Sequence, residues 1–282
     1  MTLTEKLAAA RARLVGAGIS ATEAGIDVDL FARTILGWER ARLLTEQMSA
    51  EPSGLEPQFS EWVGRRVGRE PSAYIVGVRE FWALDFRVTP AVLIPRPETE
   101  FIVEEALRLL RAQPQPRVAD IGTGCGCIAI SLAREVPDCL VVATDVSAEA
   151  LAVTRENATT HGVANRIECV ETSYLEGVDG EFDLIAANPP YVREGDKAGL
   201  SQDVRHEPDV ALFGGSTGLR DIEAVLDTAT AKVRSGGWLV MEFGFGQEDD
   251  VRERVAAREV LRLDRVREDL QGLPRTAIIQ RV

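Results

Sequence analysis

The tetrapeptide Asn188-Pro189-Pro190-Tyr191 combines residue types that could bind a planar amino group. Neither proline has an N–H group, so the backbone carbonyls of Asn188 and Pro189 and the Asn188 side-chain oxygen can accept hydrogen bonds. The Tyr191 ring could cover the face of the bound group. In a conjugated amine the nitrogen lone pair is delocalised, and acceptors on both hydrogens would return electron density to nitrogen and direct it at an electrophile. The alternative interpretation is a rigid loop in which Asn188 caps a turn.

A glycine-rich segment could hold the source of that electrophile; it reads Asp120-Ile121-Gly122-Thr123-Gly124-Cys125-Gly126. Glycines allow a backbone to approach a ligand closely. Asp145, at the end of the next predicted strand, can accept hydrogen bonds from ribose hydroxyls. The glycine spacing is not that of a dinucleotide loop, and the Asp120 carboxylate disfavours a pyrophosphate. S-adenosyl-L-methionine, with a positive centre and no phosphate, fits better. Asp120 could also serve only to fix the loop by accepting backbone N–H groups.

Alternating strand and helix patterns after residue 117 would position these segments. Strands are predicted at 118–121, 140–144, 167–170, 182–187, 238–243, 260–263 and 276–282, and helices at 127–134, 148–157, 218–233 and 249–257. Such alternation is typical of an α/β fold with a mainly parallel sheet and helices on both faces. Right-handed crossovers then bring the loops that follow the strands to one edge, where ligands bind.

The part of the chain before this sheet has a different pattern. Residues 1–70 are predicted to form a small helical domain, with the arginines between 64 and 69 on a solvated helix face. Residues 71–95 are rich in β-forming residues, including the stretch 74–77, and we expect a β-hairpin linker there. Residues 96–282 would form the catalytic domain.

The charge and composition of the chain exclude several classes of protein. The 282 residues carry a formal net charge of −13, which disfavours stable binding to nucleic acid. No apolar run approaches the ~20 residues that cross a membrane, and the N-terminus lacks the features of a secretory signal. We therefore expect a cytoplasmic protein without membrane association. The four cysteines and two histidines lack the spacing of a zinc site, so no metal is expected.

Several segments together resemble the peptide chain release factor glutamine-N5 methyltransferases. They are Asn188-Pro189-Pro190-Tyr191, the alternating glycine loop, Pro71-Ser72-Ala73-Tyr74-Ile75-Val76-Gly77, Arg79-Glu80-Phe81-Trp82, Pro95-Arg96-Pro97-Glu98-Thr99-Glu100 and Glu207-Pro208. The resemblance implies a Rossmann-like class I methyltransferase fold with S-adenosyl-L-methionine as cofactor and S-adenosyl-L-homocysteine as product. It also implies that release factors are the protein partner and that the helical domain binds them.

The resemblance further assigns roles to individual positions. It implies cofactor contacts at Asp120, Gly122, Thr123, Gly124, Cys125, Gly126, Asp145, Ser173 and Asn188. It implies binding of the glutamine in the release factor's Gly-Gly-Gln loop at Asn188, Pro189, Pro190 and Tyr191, with Asn188, Pro189 and Tyr191 directly involved in catalysis. The family often has an aromatic residue at the position of Ser173, and here Tyr174 stands beside it. The segment at 95–100 is expected to close over the methionine end of the cofactor.

Two other functions fit parts of the same pattern. An adenine-N6 or cytosine-N4 methyltransferase would use the same amino-group socket on a flipped base, although the acidic composition is against it. A non-enzymatic nucleotide-binding module would explain the glycine loop but would leave residues 188–191 without a role. A dehydrogenase is disfavoured by the glycine spacing.

Overall fold

The computed structural model describes residues 2–46, 49–111 and 113–282. Residues 1, 47 and 48 of the predicted helical domain and residue 112 of the predicted catalytic domain lie outside this description. The described chain divides into two compact units. Unit 1 comprises Met1–Gly77 with Ser201–His206, and unit 2 comprises Val78–Leu200 with Glu207–Val282.

Unit 1 is helical, as predicted. Its helices are α1 Leu3–Gly16, α2 Ala21–Leu36, α3 Arg40–Thr45, α4 Gln58–Val67 and α5 Ser72–Val76. Helix α1 begins with a capping box in which the Thr2 hydroxyl accepts from the Glu5 N–H and the Glu5 carboxylate accepts from the Thr2 N–H. Apolar side chains at helical spacing, such as Leu7 and Leu14 of α1 and Phe31 of α2, form one buried core.

The prediction that the arginines of helix α4 lie on a solvated face is wrong for Arg66. Arg66 is 1 % exposed and lies among three carboxylates. Its Nε donates to Asp27 Oδ2 at 2.6 Å, and its Nη2 donates to Glu23 Oε1 at 2.6 Å and to Asp203 Oδ2 at 2.9 Å. A buried guanidinium is retained because these partners compensate for the loss of water. Asp203 therefore attaches the segment Ser201–His206 to helix α4 within unit 1.

The prediction of β-structure at 74–77 is wrong, because residues 72–76 form helix α5. Pro71 precedes the helix in an extended conformation, and Gly77 ends it in the left-handed region with φ +83°. These two residues bound a single helical turn. Ala73, Tyr74 and Ile75 are buried, so packing has overridden the β-propensity of the sequence. The hairpin itself is shorter than predicted and follows at 78–87. The substrate-binding role of residues 1–70 and the linker role of residues 71–95 stay predictions.

Unit 2 contains the sheet. Its strands are β1 Val78–Phe81, β2 Leu84–Arg87, β3 Arg117–Ile121, β4 Leu140–Asp145, β5 Ile167–Glu171, β6 Phe182–Ala187, β7 Val233–Glu242, β8 Leu261–Glu268 and β9 Pro274–Arg281. Its helices are α6 Glu100–Leu110, α7 Cys127–Glu135, α8 Ala148–Thr160, α9 Asp209–Leu212, α10 Arg220–Lys232 and α11 Glu248–Ala256. Strands β1 and β2 form the antiparallel hairpin.

The other strands described form one sheet in the order β5-β4-β3-β6-β7-β9-β8. Strands β5, β4, β3, β6 and β7 run parallel, and β9 is antiparallel to both of its neighbours. Ala119 and Ile121 of β3 lie in a buried cluster with Ile222 of α10. Val118 on the opposite side of β3 is also fully buried, so both faces of the central strand are covered. The predicted fold class is confirmed.

No helix among residues 2–46, 49–111 and 113–282 is long and apolar enough to cross a membrane.

Candidate active site

The register of the sheet brings the carboxyl ends of the central strands to one level. Ile121 of β3 lies opposite Thr144 of β4 and Ala187 of β6, and Ala187 lies opposite Met241 of β7. The residues one step further along these strands therefore share an edge of the sheet; they are Gly122, Asp145, Asn188 and Glu242. The order of the strands reverses between β3 and β6, and such a switch point leaves a crevice in which ligands bind.

A cavity of about 260 Å³ opens at this edge, within unit 2. It is lined by most of the residues that the sequence predicted for cofactor and substrate. They are residues 122–125, Asp145, Ser173 and residues 188–190. Asp120, Gly126 and Tyr191 were also predicted, but their side chains or backbone do not line this cavity. Gly126 instead precedes α7 with φ +84°, where a Cβ would meet Ile130 and Thr154 at 2.9 Å.

The glycine loop is held to β4 and α8 by direct hydrogen bonds. The Gly124 N–H donates to Asp145 Oδ2 at 3.0 Å, and the Thr154 hydroxyl donates to the Gly124 carbonyl at 2.8 Å. Asp145 Oδ1 accepts from the Ser147 N–H at 2.9 Å. Burial raises the pKa of Asp145, and these backbone N–H groups oppose the rise. Each carboxylate oxygen keeps a further lone pair for a ligand.

Asp120 is fully buried and holds the glycine loop through hydrogen bonds. Its Oδ2 accepts from the Thr123 hydroxyl at 2.6 Å and from the Ala129 N–H at 3.1 Å. Of its two oxygens, Oδ1 has no hydrogen-bond partner among the described residues. Burial raises the pKa of Asp120 to about 6. The structure therefore supports the loop-fixing interpretation of Asp120 and gives no direct contact between its carboxyl group and the cavity.

Asn188 belongs to a chain of hydrogen bonds that the sequence did not reveal. Its Nδ2 donates to the Thr99 hydroxyl at 3.0 Å, and that hydroxyl donates to Glu242 Oε2 at 2.7 Å. Thr99 and Glu242 are both buried. Burial raises the pKa of Glu242, and the hydroxyl groups of Thr99 and Tyr191 oppose the rise. With Nδ2 engaged, the Asn188 side chain has its Oδ1 left to accept from a ligand in the cavity.

Tyr191 is not among the residues that line the cavity. Its ring packs against the core of unit 2, and its hydroxyl donates to Glu242 Oε1 at 3.0 Å. The backbone at Tyr191 is held by Gln247, whose Nε2 donates to the Tyr191 carbonyl at 3.2 Å. A Cβ at Gly218 would lie 2.4 Å from the same carbonyl, so this position requires glycine. Packing on both sides thus fixes the backbone of residues 188–191.

Ser173 and Tyr174 both line the cavity. Tyr174 lies in the left-handed region with φ +54°, its carbonyl accepts from the Thr144 hydroxyl at 2.6 Å, and its hydroxyl donates to Asp221 at 2.9 Å. Burial, reinforced by Asp221, raises the pKa of Tyr174 to about 12. Tyr174 therefore supplies an anchored aromatic side chain to the cavity next to the position where the sequence has Ser173.

Arg96 adds a cationic group to the cavity lining. Its Nη2 donates to Glu207 Oε1 at 2.5 Å, while Glu207 Oε2 accepts from the Ile94 N–H at 3.1 Å. Sequence reasoning gave no individual role to Arg96, Thr99 or Glu242. The signal for Glu242 is present in the sequence, because it is an acidic residue at the end of the apolar run Trp238-Leu239-Val240-Met241.

The cavity has the groups that a sulfonium nucleoside requires. The backbone of Gly124 turns with φ +58°, and a Cβ there would project into open space, so the loop presents bare backbone to the cavity. The Asp145 carboxylate lies beside it, and the two cations of the lining, Arg96 and Arg220, are bonded to Glu207 and Asp221. The donor set thus fits S-adenosyl-L-methionine.

The sheet order with an antiparallel β9, together with a glycine loop and an acidic residue at the switch point, defines a class I methyltransferase. Residues 101–207 match the family model described as the methyltransferase small domain, and residues 5–77 match the model described as the PrmC N-terminal domain. The chain belongs to the release factor glutamine methyltransferase family.

Family membership rests on curated relatives. The release factor glutamine methyltransferase of Bradyrhizobium diazoefficiens is 41 % identical over 265 residues, which cover 90 % of this chain and 86 % of the relative. The protein of the same name from Moorella thermoacetica is 38 % identical over 289 residues, covering 100 % and 99 % of the two chains. A methyltransferase structure from Pyrococcus furiosus has a TM-score of 0.54 at 18 % identity, covering 78 % of this chain and 98 % of that one. That likeness supports the fold alone.

Proposed function

We propose that this protein transfers a methyl group from S-adenosyl-L-methionine to the side-chain amide nitrogen of the glutamine in the Gly-Gly-Gln motif of peptide chain release factors. The observation that carries the proposal is the Asn188 side chain, which lies at the cavity with Nδ2 bonded to Thr99 and Oδ1 left as an acceptor. A primary amide is a planar donor of two hydrogens, and this acceptor suits it.

The cofactor would be held by the glycine loop and Asp145. The backbone of residues 122–125 would contact the cofactor directly, and Asp145 would accept hydrogen bonds from the ribose hydroxyls. Tyr174 would contact the adenine base, because residue 173 is a serine and not the aromatic residue often found there. When bound, S-adenosyl-L-methionine supplies an electrophilic methyl group and leaves as S-adenosyl-L-homocysteine. The segment at 95–100 would cover the methionine end, and Arg96 gives that segment a cation for the carboxylate.

The substrate amide would be oriented by backbone and side-chain acceptors of residues 188–190. Asn188 Oδ1 and the Pro189 carbonyl would each accept one amide hydrogen, which fixes the amide plane and raises electron density on nitrogen. No base is required before attack, because the nitrogen becomes strongly acidic only after methylation and then releases its proton to water. Orientation of this kind can supply on the order of 7–11 kcal/mol of the barrier.

Mass spectrometry of treated release factors tests the proposal. A purified release factor is incubated with the protein and S-adenosyl-L-methionine, and one added methyl group is expected on the loop glutamine. A release factor whose loop glutamine is replaced by glutamate lacks the amide and should gain no methyl group. Parallel incubations with DNA and RNA test the adenine and cytosine alternative. Methyl transfer to nucleic acid but not to the release factor would reject the proposal.

A further inference from the structure

We propose that Glu242 and Thr99 are positioning residues for methyl transfer, with the Glu242 carboxylate acting through the Thr99 hydroxyl to hold the Asn188 carboxamide with its oxygen toward the cavity. This inference rests on the proposed function. The sequence alone assigned no individual role to either residue. Under this proposal, the orientation of the Asn188 carboxamide depends on the direction of the hydrogen bonds made by Thr99.

The argument begins with the chemistry of a carboxylate. The hydroxyl groups of Thr99 and Tyr191 both donate to Glu242, the arrangement that a carboxylate, which only accepts hydrogen bonds, requires. The Thr99 oxygen is then left with lone pairs only on the side of Asn188. The carboxamide group nearest to Thr99 must therefore be the NH₂ and not the carbonyl, which turns Asn188 Oδ1 away from Thr99.

An asparagine side chain has no such preference by itself. Rotation by half a turn exchanges its oxygen and nitrogen with little change in shape, and only the hydrogen-bond network distinguishes the two arrangements. With Oδ1 in the cavity, Asn188 accepts from a substrate amide. With Nδ2 in the cavity, the NH₂ group of Asn188 would face the NH₂ group of the substrate amide, and two donors cannot form a hydrogen bond with each other. Glu242 therefore determines whether the site attracts or repels the group to be methylated.

The sheet explains why Glu242 is in position to do this. Ala187 and Met241 are register partners, so Asn188 and Glu242 are the next residues of adjacent parallel strands. Thr99 comes from the turn before α6, 89 residues from Asn188 and 143 from Glu242 in sequence. Glu242 is 1 % exposed. Burying a carboxylate is unfavourable, and an apolar residue at this strand end would fill the same space without that cost.

The central test compares two identical substitutions next to Glu242. Thr99→Val removes the hydroxyl that links Glu242 to Asn188. Thr276→Val is the control, because Thr276 is the register partner of Glu242 on β9 and its buried hydroxyl oxygen has no partner among the described residues. We expect Thr99→Val to lower kcat for release factor methylation about 10- to 100-fold, as misplacement near the reacting atoms does. Thr276→Val should leave kcat unchanged, and Thr99→Ser should restore it.

A double-mutant cycle shows whether the two residues act as one unit. Glu242→Gln keeps the shape of the side chain but replaces one acceptor oxygen by a donor NH₂. If Glu242 works through Thr99, the double variant Glu242→Gln/Thr99→Val should be no slower than the slower single variant. Losses in kcat that multiply would show independent roles and would overturn the proposal.

A measurement without turnover tests the orientation directly. The chain has three asparagines, Asn157, Asn165 and Asn188, so NMR of protein labelled with ¹⁵N-asparagine gives three side-chain NH₂ groups, and Asn188→Ala assigns one of them. Thr99→Val should shift the Asn188 signals and speed their hydrogen exchange, while the Asn157 signals stay in place. Unchanged Asn188 signals would refute the proposal. An inactive wild-type protein with the expected NMR response would refute the proposed function while supporting the orientation.

Discussion

The carboxylate of Asp145 accepts the backbone N–H of Gly124 at 3.0 Å and so ties the end of β4 to the loop that follows β3. The same side chain accepts from the Ser147 N–H at 2.9 Å. A single half-buried acid thus fixes the loop that would contact the cofactor and presents its remaining lone pairs to the cavity. The shape of the loop and the affinity for a nucleoside are therefore expected to depend on the same group.

Replacing Asp145 by asparagine should weaken cofactor binding. An asparagine oxygen can replace only one of the two acceptors, and its NH₂ would face either the Gly124 or the Ser147 N–H. We expect the Kd for S-adenosyl-L-homocysteine to rise about 10- to 100-fold, the size typical of hydrogen bonds to a charged group. Isothermal titration calorimetry measures it. Asp138→Asn, at an exposed position before β4, is the matched control, and equal affinities for the two variants would contradict the role of Asp145.

Truncation of Asn188 should reduce turnover more than binding. Asn188→Ala removes the side-chain acceptor for the substrate amide but leaves the Pro189 carbonyl in place. By comparison with the loss of other preorganised polar contacts, we expect kcat to fall about 10²- to 10³-fold. Steady-state methylation of a release factor measures kcat, and urea unfolding confirms that the variant is folded. Near wild-type turnover would show that Asn188 does not orient the amide.

Stability should depend on pH through Asp120. Its pKa is about 6 in the folded protein, against an ordinary value of 3.8, so between these values the folded chain holds a proton that the unfolded chain has lost. The free energy of unfolding should therefore decrease as pH rises through this range. The loss should total roughly 3 kcal/mol between about pH 4 and pH 7. Urea unfolding at several pH values, compared between wild type and Asp120→Asn, measures it.

The control for this experiment is Asp179→Asn, which removes an exposed carboxylate from unit 2. It should keep the pH dependence of the wild type, whereas Asp120→Asn should make the dependence shallower and leave the part that comes from the raised pKa values of Asp145 and Glu242. Parallel curves for wild type and Asp120→Asn would show that Asp120 does not retain its proton in the folded chain.

Neighbouring arginines of α4 should differ sharply in their contribution to stability. Arg66→Met leaves Asp27 buried without its partner and should lower the free energy of unfolding by about 3–5 kcal/mol. Arg65 bonds Glu70 at a more exposed position, so Arg65→Met should cost less than about 1 kcal/mol. Urea unfolding of the full chain compares them. Equal losses would mean that burial of Arg66 does not govern its contribution.

The structure brings together those predicted site residues that adjoin strand ends. The loop at 122–125, Asp145 and residues 188–190 were predicted because strand ends in a parallel sheet meet at one edge, and all of them line one cavity. Glu242 was missed although it lies in the predicted strand 238–243, because its partner Thr99 is 143 residues away and pairing at that distance leaves no local pattern.

Two other differences have the same origin. The ring of Tyr191 was predicted to cover the substrate, and nothing in the sequence indicated that its hydroxyl donates to the buried Glu242 carboxylate. Arg66 looked like one of several surface arginines in sequence, and its burial depends on Asp27, Glu23 and Asp203, which come from two distant segments. Contacts across long sequence separations decide which of several similar side chains becomes buried.

The position of Asp203 has a consequence for how unit 1 is completed during synthesis. Asp203 accepts from Arg66 and Arg69 across 137 and 134 residues of sequence, although every helix of unit 1 among the described residues ends before residue 77. A nascent chain that has emerged from the ribosome as far as Gly77 contains all the residues of those helices, but it lacks this carboxylate until strands β1 to β6 have followed. An excised fragment ending at Gly77 should accordingly melt at a lower temperature than the same helices within the whole chain.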